Sequence, residues 1–191
     1  MISIIDYGLG NLNSIKNMLR RLGYRSEIIN DSDAISRAEK IILPGVGAFD
    51  NGMHNIQSKG FTLPLYKKAK EEKVPILGIC LGMQLLFSSS EEGCEKGLGF
   101  ISGHATRFKF DDKFSKYKVP HMGWNEVKIV RSHPLVNNLP EDARFYFVHS
   151  YKIECANKSD VILTADYGGD FTAAVAHENI MGTQFHPEKS H

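Results

Sequence analysis

The first half of the chain alternates short apolar runs with stretches of helical periodicity. The apolar runs predict buried strands at residues 2–5, 25–29, 40–43 and 75–79. Ile15, Met18, Leu19 and Leu22 recur at the spacing of one helix face, and Gly23 can end that helix. Further helical stretches cover residues 63–72 and 81–87. Because strands and helices alternate at this spacing, the sequence predicts an α/β fold whose open, mostly parallel sheet has helices on both faces.

The second half of the chain replaces helical periods with β-branched and aromatic runs. They predict strands at residues 100–108, 126–130, 145–153, 161–165, 173–177 and 180–185. Turn residues separate these runs, among them Asp111-Asp112, Asn137-Asn138 and Gly168-Gly169. We therefore expect an antiparallel extension of the parallel core, with the last strands returning to the central sheet. Since no linker separates the halves, residues 1–191 are expected to form a single domain.

Composition and charge narrow the class of protein. Lys and Arg number 23 against 22 Asp and Glu, and the resulting net charge of +1 argues against nucleic acid or an anionic membrane as the partner. The apolar run at 74–87 is too short to span a membrane, and the segment before Asp6 lacks the basic region of a secretory signal. Three cysteines without a CxxC pair indicate neither a disulfide framework nor a zinc site, so a cytoplasmic protein is expected.

Cys80 is the strongest candidate for chemistry. It lies in GICLGMQ, where a predicted strand meets a predicted helix, with Gly78 and Gly82 two residues to either side. A nucleophile at such a junction sits on a sharp turn, and glycines at these positions relieve the crowding that the turn creates. The N–H groups of the following helix favour a thiolate. The alternative for this cysteine alone is a buried structural thiol.

A base for this nucleophile is available in QFHPE. In an extended segment His186 and Glu188 point the same way, and Pro187 biases His186 toward that geometry. Glu188 can then orient one ring nitrogen while the other faces Cys80, as in a catalytic triad. Taken alone, the same residues could form a surface turn.

Donors for an oxyanion are the third requirement of acyl transfer. The N–H of Leu81 is one candidate. The other is the loop Pro44-Gly45-Val46-Gly47, in which Val46 and Gly47 follow a neighbouring parallel strand, at the edge where α/β sheets build their sites. A simple turn that ends the strand is the alternative for this loop.

Together, Cys80 in GICLGMQ, His186 and Glu188 in QFHPE and the PGVG loop resemble the class I glutamine amidotransferases. The blocks DYGLGN, LPGVGAF, PHMGWN, FYFVHSY and HPEKS resemble one branch of that family, the glutaminase subunits of imidazole glycerol phosphate synthase. These blocks run from the first strand to the last residues of the sequence.

The resemblance implies a flavodoxin-like fold and glutamine hydrolysis through a thioester on Cys80, with His186 as base and Glu188 orienting it. It also implies that the ammonia passes to a (β/α)8-barrel cyclase subunit, the heterodimer partner, which completes the imidazole ring in histidine biosynthesis. No metal or organic cofactor is implied. The residues that the resemblance places around the glutamine substrate are Gln84, Gly47, Ser150 and Tyr151.

The partner is expected to contact the PHMGWN block, interpreted as a mid-chain loop, because a Trp beside Gly and Met suits a protein contact. The residues of this predicted interface are His121, Met122, Gly123, Trp124 and Asn125. Three alternatives stay open: a paralogous subunit that supplies ammonia for sugar modification in surface polysaccharide, a free-standing γ-glutamyl hydrolase or cysteine peptidase with the same residues, and a non-catalytic binding module.

Overall fold

A computed structural model describes residues 1–110 and 116–190, and the predicted turn Asp111-Asp112 lies outside these residues. The helices are α1 Leu12–Arg21, α2 Ser32–Arg37, α3 Phe49–Ser58, α4 Thr62–Tyr66 and α5 Leu81–Leu85. Single turns of other helix types are the π-helical turn Lys67–Glu71 and the 3₁₀ turns Lys158–Asp160 and Pro187–Lys189. The strands are β1 Ile2–Ile5, β2 Ser26–Ile29, β3 Ile41–Leu43, β4 Ile76–Ile79, β5 Gly103–Arg107, β6 His121–Glu126, β7 Lys128–Ile129, β8 Arg144–His149, β9 Tyr151–Cys155, β10 Val161–Asp166, β11 Asp170–His177 and β12 Ile180–Thr183.

The central sheet confirms the predicted α/β class with its antiparallel extension. Its main path runs β2-β1-β3-β4-β12-β11-β10-β7, and β9 and β5 join it at β11. The pairs from β2 to β12 are parallel, while β12–β11, β11–β10 and β10–β7 are antiparallel. The last strand, β12, returns to the centre beside β4, as expected. A separate antiparallel pair, β6–β8, lies outside this sheet.

Successive residues of β1 face opposite layers of the core, which places helices on both sides of the sheet. Ile4 belongs to the same apolar layer as Ile15 of α1. Ile5 belongs to the layer that holds Met53 of α3 and Leu85 of α5. Such residues bury both faces of the parallel strands, which is why these strands are continuous apolar runs in the sequence.

Helix α1 ends as its sequence predicts. The Asn11 side chain accepts a hydrogen bond from Ser14 N at its start, and Gly23 takes a φ of +80° just beyond its end. Helices α2 and α3 were not predicted. Helix α3 contains Asn51 and Gly52, both poor helix formers, and its first turn is held from outside, because Phe49 N donates to the Glu92 carboxylate at 2.8 Å.

Two predictions for the second half are wrong in detail. The run at 145–153 is two strands: β8 pairs with β6, whereas β9 pairs with β5 and β11, and Ser150 is the break between them. The PHMGWN block is strand β6, where alternation places neighbouring residues on opposite faces. Its partner across the ladder is the aromatic strand β8, and that pairing overrides the weak strand signal of Gly123.

Candidate active site

Cys80 lies on a strained turn between β4 and α5. It has a φ of +54° and a ψ of −109°, a conformation that costs a non-glycine residue on the order of 1–3 kcal/mol. Its backbone N donates to Thr183 O at 2.8 Å, which ties the turn to β12. A Cβ on Gly82 would come within 1.8 Å of Leu43 O, and one on Gly78 within 2.6 Å of Gly82 O. The flanking glycines therefore allow the sharp turn, as the sequence indicates.

His186 and Glu188 form a buried pair behind Cys80. His186 Nδ1 lies 2.8 Å from Glu188 Oε1, and the two residues are 1% and 8% exposed. His186 is extended, as predicted, but Glu188 lies in the 3₁₀ turn rather than in a continuing strand. The histidine backbone is fixed as well, because His186 N donates to Tyr146 O of β8 at 2.9 Å.

The surroundings of His186 favour its charged form. Burial acts to lower its pKa, but the Cys80 sulfur and the Glu188 carboxylate outweigh burial and raise the pKa to about 9. Its Nε2 is buried and makes no hydrogen bond of ordinary geometry among the described residues. An imidazolium between a sulfur and a carboxylate is the arrangement of an activated thiol.

A cavity of about 250 Å³ opens at Cys80, a size suited to a small molecule. Among the residues named from the sequence, those that line it are Gly47, Cys80, Leu81, Gln84, Ser150 and Tyr151. Val46 does not line it and is 39% exposed, although its neighbour Gly47 turns at a φ of +110°. His186 and Glu188 lie behind the sulfur rather than on the cavity wall.

Four residues on the cavity wall were missed from the sequence: Glu92, Pro120, Val148 and His149. Glu92 follows a run of serines and acids that carries no motif. Its place is set by the contact with Phe49 N at the start of α3, which only the folded chain reveals. Val148 O lies 4.0 Å from Cys80 Sγ, so the β8 backbone reaches the nucleophile directly.

His121 is buried, and its assignment to an exposed partner-facing surface is wrong. It is 3% exposed, because the alternation of β6 turns it inward, where it stacks on Tyr167 at a ring distance of 3.9 Å. Its Nδ1 lies 3.0 Å from His149 Nε2, and His149 Nδ1 lies 2.7 Å from Tyr151 O. Since a carbonyl only accepts, His149 donates from Nδ1 and its Nε2 accepts from His121.

Both of these histidines are held neutral. Burial lowers the pKa of His121 to about 4. Burial also lowers the pKa of His149 to about 3, with the charges of His121 and His186 acting in the same direction against the Tyr151 carbonyl. Two uncharged rings thus connect β6 to the cavity wall.

The outward face of β6 carries the other part of the predicted interface. Met122 and Trp124 are 62% and 54% exposed. Gly123 and Asn125 alternate with them and are half-buried, and Asn125 Nδ2 donates to Asp166 O at 2.8 Å. Trp124 faces Tyr146 across the ladder, with ring centroids 6.3 Å apart.

Neither a metal-binding cluster nor a membrane-spanning helix is present among the described residues. In residues 1–110 and 116–190, no group of three His, Cys, Asp or Glu side chains is placed to hold a metal ion. Within the same part of the chain, no helix has both the length and the apolar character needed to cross a membrane.

Known proteins resemble the chain over its whole length. The family described as "Glutamine amidotransferase class-I" matches residues 3–191. "Imidazole glycerol phosphate synthase subunit HisH 2" of Methanococcus maripaludis is 54% identical over 100% of this chain and 93% of its own length. The corresponding subunit HisH of Leptospira interrogans is 49% identical over 100% of this chain and 94% of its own. A subunit HisH 2 of Pseudomonas aeruginosa is 47% identical, with 100% and 93% covered.

Solved structures show the same fold at lower identity. A structure described as "Crystal structure of glutamine amidotransferase" matches with a TM-score of 0.75 and 17% identity, over 99% of this chain and 91% of that one. "Structure of PurLQS from Thermotoga maritima" matches with a TM-score of 0.73 and 21% identity, over 98% of this chain and 87% of that one.

Proposed function

Since the chain belongs to the class I glutamine amidotransferase family, we propose that Cys80, His186 and Glu188 are the catalytic triad of a single glutaminase domain. The chain is a glutamine amidotransferase of histidine biosynthesis, in keeping with relatives that are 46–54% identical across it. The observation that supports the triad is the buried imidazole, held between the Cys80 sulfur and the Glu188 carboxylate with its pKa raised to about 9.

The proposed reaction starts from the thiolate–imidazolium pair. The Cys80 thiolate attacks the side-chain amide carbon of glutamine, and His186 gives its proton to the departing nitrogen, which leaves as ammonia. The neutral His186 then takes a proton from water as that water attacks the thioester. Glutamate leaves, and the thiolate and imidazolium are restored. Glu188 holds Nδ1 throughout and so keeps Nε2 directed at the reacting atoms.

The tetrahedral intermediates place a negative charge on the amide oxygen, and backbone N–H groups are the proposed donors to it. Leu81 N, at the first position of α5, has no partner inside its own helix. Val46 and Gly47 supply the second donor in this proposal. A Cβ on Gly45 would lie 2.8 Å from Leu81 Cβ, so the loop and the turn are close enough to act on one oxygen.

The cavity also offers polar groups that can bind the α-amino and α-carboxyl groups of the glutamine substrate. Gln84, Gly47, Ser150 and Tyr151 supply polar groups along its wall. Glu92 adds a carboxylate, and we propose that it pairs with the α-ammonium of glutamine, since this is the one positive charge that the substrate has.

A cyclase subunit is the proposed partner, since the relatives are named as subunits of imidazole glycerol phosphate synthase. We place a (β/α)8 barrel on the outward face of β6, in a heterodimer that carries ammonia to the cyclase. Met122 and Trp124 are exposed there beside the β8 strand that contacts the triad. All three cysteines are free, which suits the proposed cytoplasmic location.

Labelling with diazo-oxo-norleucine, an electrophilic glutamine analogue, tests the nucleophile. We expect the reagent to modify Cys80 and to spare the exposed Cys94 and the buried Cys155, as read by mass spectrometry of peptides. Cys80→Ala is expected to abolish glutamate formation, whereas the matched control Cys94→Ala keeps it. Glutamate formation by Cys80→Ala at the wild-type rate would refute the assignment.

A further inference from the structure

A buried chain of two side-chain amides connects the cavity wall to the nucleophile. Gln184 is fully buried beyond the end of β12, two residues before His186, and its backbone N donates to Ala173 O at 2.8 Å. Its side-chain Nε2 lies 3.7 Å from Cys80 Sγ. Its Oε1 lies 3.1 Å from Gln84 Nε2, which in turn lies 3.4 Å from Tyr151 O. The triad mechanism proposed above assigns no role to these contacts.

The backbone carbonyl of Tyr151 sets the direction of every hydrogen bond in this chain. A carbonyl can only accept, so the end of Gln84 that faces it is the NH₂ group. That NH₂ group also faces Gln184, which must therefore present its oxygen. The remaining end of Gln184, the one against the sulfur, is then its NH₂ group. The orientation of both amides follows from one group that cannot be reversed.

The sulfur gains a donor from this arrangement. Among the described residues, Gln184 is the side chain that donates a hydrogen bond to Cys80 Sγ, at 3.7 Å, whereas His186 Nε2 makes none of ordinary geometry. The other polar contact of the sulfur, Val148 O at 4.0 Å, is an acceptor and can bind only the protonated thiol. A hydrogen bond donated to a charged group contributes more than one between neutral groups. Gln184 therefore stabilises the thiolate of Cys80, whereas the Val148 carbonyl stabilises the protonated thiol.

Gln84 is fixed by the same contacts. Its NH₂ group is engaged on both sides, by Tyr151 O and by Gln184 Oε1. Its Oε1 makes no hydrogen bond among the described residues and is not one of their fully enclosed atoms, so it is reachable from the cavity that Gln84 lines. Gln84 therefore offers an acceptor, not a donor, to a bound molecule.

We propose that Gln184 is a catalytic side chain, whose amide N–H stabilises the Cys80 thiolate and whose amide oxygen holds Gln84 with its own oxygen toward the substrate. The second role rests on the proposed function, because it needs glutamine in the cavity. The first does not, because it concerns the sulfur alone.

Alkylation of the three cysteines by iodoacetamide tests the first role in the full chain. Cys80 is only 7% exposed but lines the cavity, so it reports on the thiolate, and exposed Cys94 is a reference within each sample. Cys155 is buried and does not line that cavity, so it becomes labelled only if the variant unfolds. We expect Gln184→Met to slow Cys80 labelling relative to Cys94 by about tenfold at about pH 7. The deficit should shrink as the pH is raised, because hydroxide can ionise a thiol without a neighbouring donor. Asn13→Met, which replaces an exposed amide on α1, is the matched control and should label as the wild type does.

Gln184→Glu separates the two roles when the new carboxyl is ionised. The carboxylate then still accepts from Gln84 Nε2 but gives the sulfur no N–H and adds a like charge beside it, so Cys80 labelling falls and kcat with it, while KM for glutamine stays within about twofold. Gln184→Met loses both contacts, so its KM rises as well. If Gln184→Met exposes Cys155, the labelling of Gln184→Glu decides the question.

Unchanged Cys80 labelling in a folded Gln184 variant would overturn the proposal. If Cys80 labelling is slower in both variants but their KM values for glutamine are equal, only the role assigned to the amide oxygen is overturned. Failure of the proposed function looks different: the wild type would form no glutamate, yet Gln184→Met would still slow the alkylation of Cys80.

Discussion

At the scale of single residues, His186 and Glu188 are expected to contribute unequally to catalysis. In the proposed triad His186 moves the proton, whereas Glu188, 2.8 Å from Nδ1, orients the ring. We expect His186→Ala to lower kcat by roughly 10²–10⁴-fold. Glu188→Gln should lose less, because its amide oxygen can still accept from Nδ1. Steady-state glutaminase assays on the assembled enzyme measure both, and an equal, complete loss would show that Glu188 does more than orient.

The buried histidines make stability depend on pH in two separate windows. His121 and His149 have lowered pKa values, so they add stability above about pH 6.5 that is lost as the pH falls toward about 4. His186 has a raised pKa, so its contribution is complete below about pH 6.5 and is lost as the pH rises through about 9. Together, these three histidines stabilise the folded state most at about pH 6.5, where the two windows meet.

Urea unfolding at a series of pH values tests the acid window. Each of these histidines contributes up to about 1.4 kcal/mol per pH unit. We expect His121→Phe to be less stable than the wild type at neutral pH, since His149 Nε2 loses its donor, and to have a flatter slope below about pH 6.5. His104→Phe, on the exposed side of β5, is the control and should keep the wild-type slope. A slope unchanged in His121→Phe would contradict the neutral pair.

At the scale of elements, strand β8 joins the proposed interface to the triad. Its Tyr146 carbonyl accepts from His186 N, its Val148 carbonyl lies beside Cys80, and its outer neighbour β6 carries Trp124. A displacement of β6 by a docking partner therefore reaches two members of the triad through one strand. Because the extended run breaks at Ser150, β8 pairs only with β6 among the described strands, and the chain rejoins the central sheet with β9.

Trp124→Ala is the variant that tests this interface. An exposed indole at the centre of a contact is expected to contribute strongly to binding, so the dissociation constant for the cyclase should rise by about tenfold or more. Basal glutamine turnover should change little, because Trp124 does not line the cavity. The matched control is Tyr66→Ala, an aromatic that is 48% exposed on α4. Equal losses of affinity in both variants would remove β6 from the interface.

The elements that the sequence predicts well are those whose signal is local. Strand β1 has the predicted bounds, and the Cys80 turn is marked by its flanking glycines, because both signals lie in adjacent residues of the sequence. Helix α3 has Phe49, Met53 and Ile56 at helical spacing, but Asn51 and Gly52 weaken that signal. Its first turn is held by Glu92, some forty residues away in the sequence. His121 is buried because β6 pairs with β8. Interpreted as a loop, the PHMGWN block does not predict which of its side chains face the core.

At the scale of the whole molecule, the proposed partner should control turnover. The loop at Gly45, Val46 and Gly47 can present or withdraw an oxyanion donor as its peptide groups reorient. We expect weak glutaminase activity from the isolated chain and a rise of at least about 10²-fold when the cyclase binds with its ligand, since one missing donor costs about 10²–10³ in rate. Glutamate release with and without the partner measures this. An isolated chain that already turns over at the rate of the complex would favour a free-standing hydrolase.

The pairing of β12 with β4 also bears on when the site can form during synthesis. Ile79 pairs with Thr183, and Cys80 N donates to Thr183 O, so the nucleophile is anchored by a strand about a hundred residues later in the chain. A nascent chain that has produced β4 has the cysteine but neither the base nor the strand that holds the turn. Contacts between such distant positions require a long loop to close first, which slows their formation. A nascent chain still short of β12 therefore lacks two members of the proposed triad and is expected not to hydrolyse glutamine.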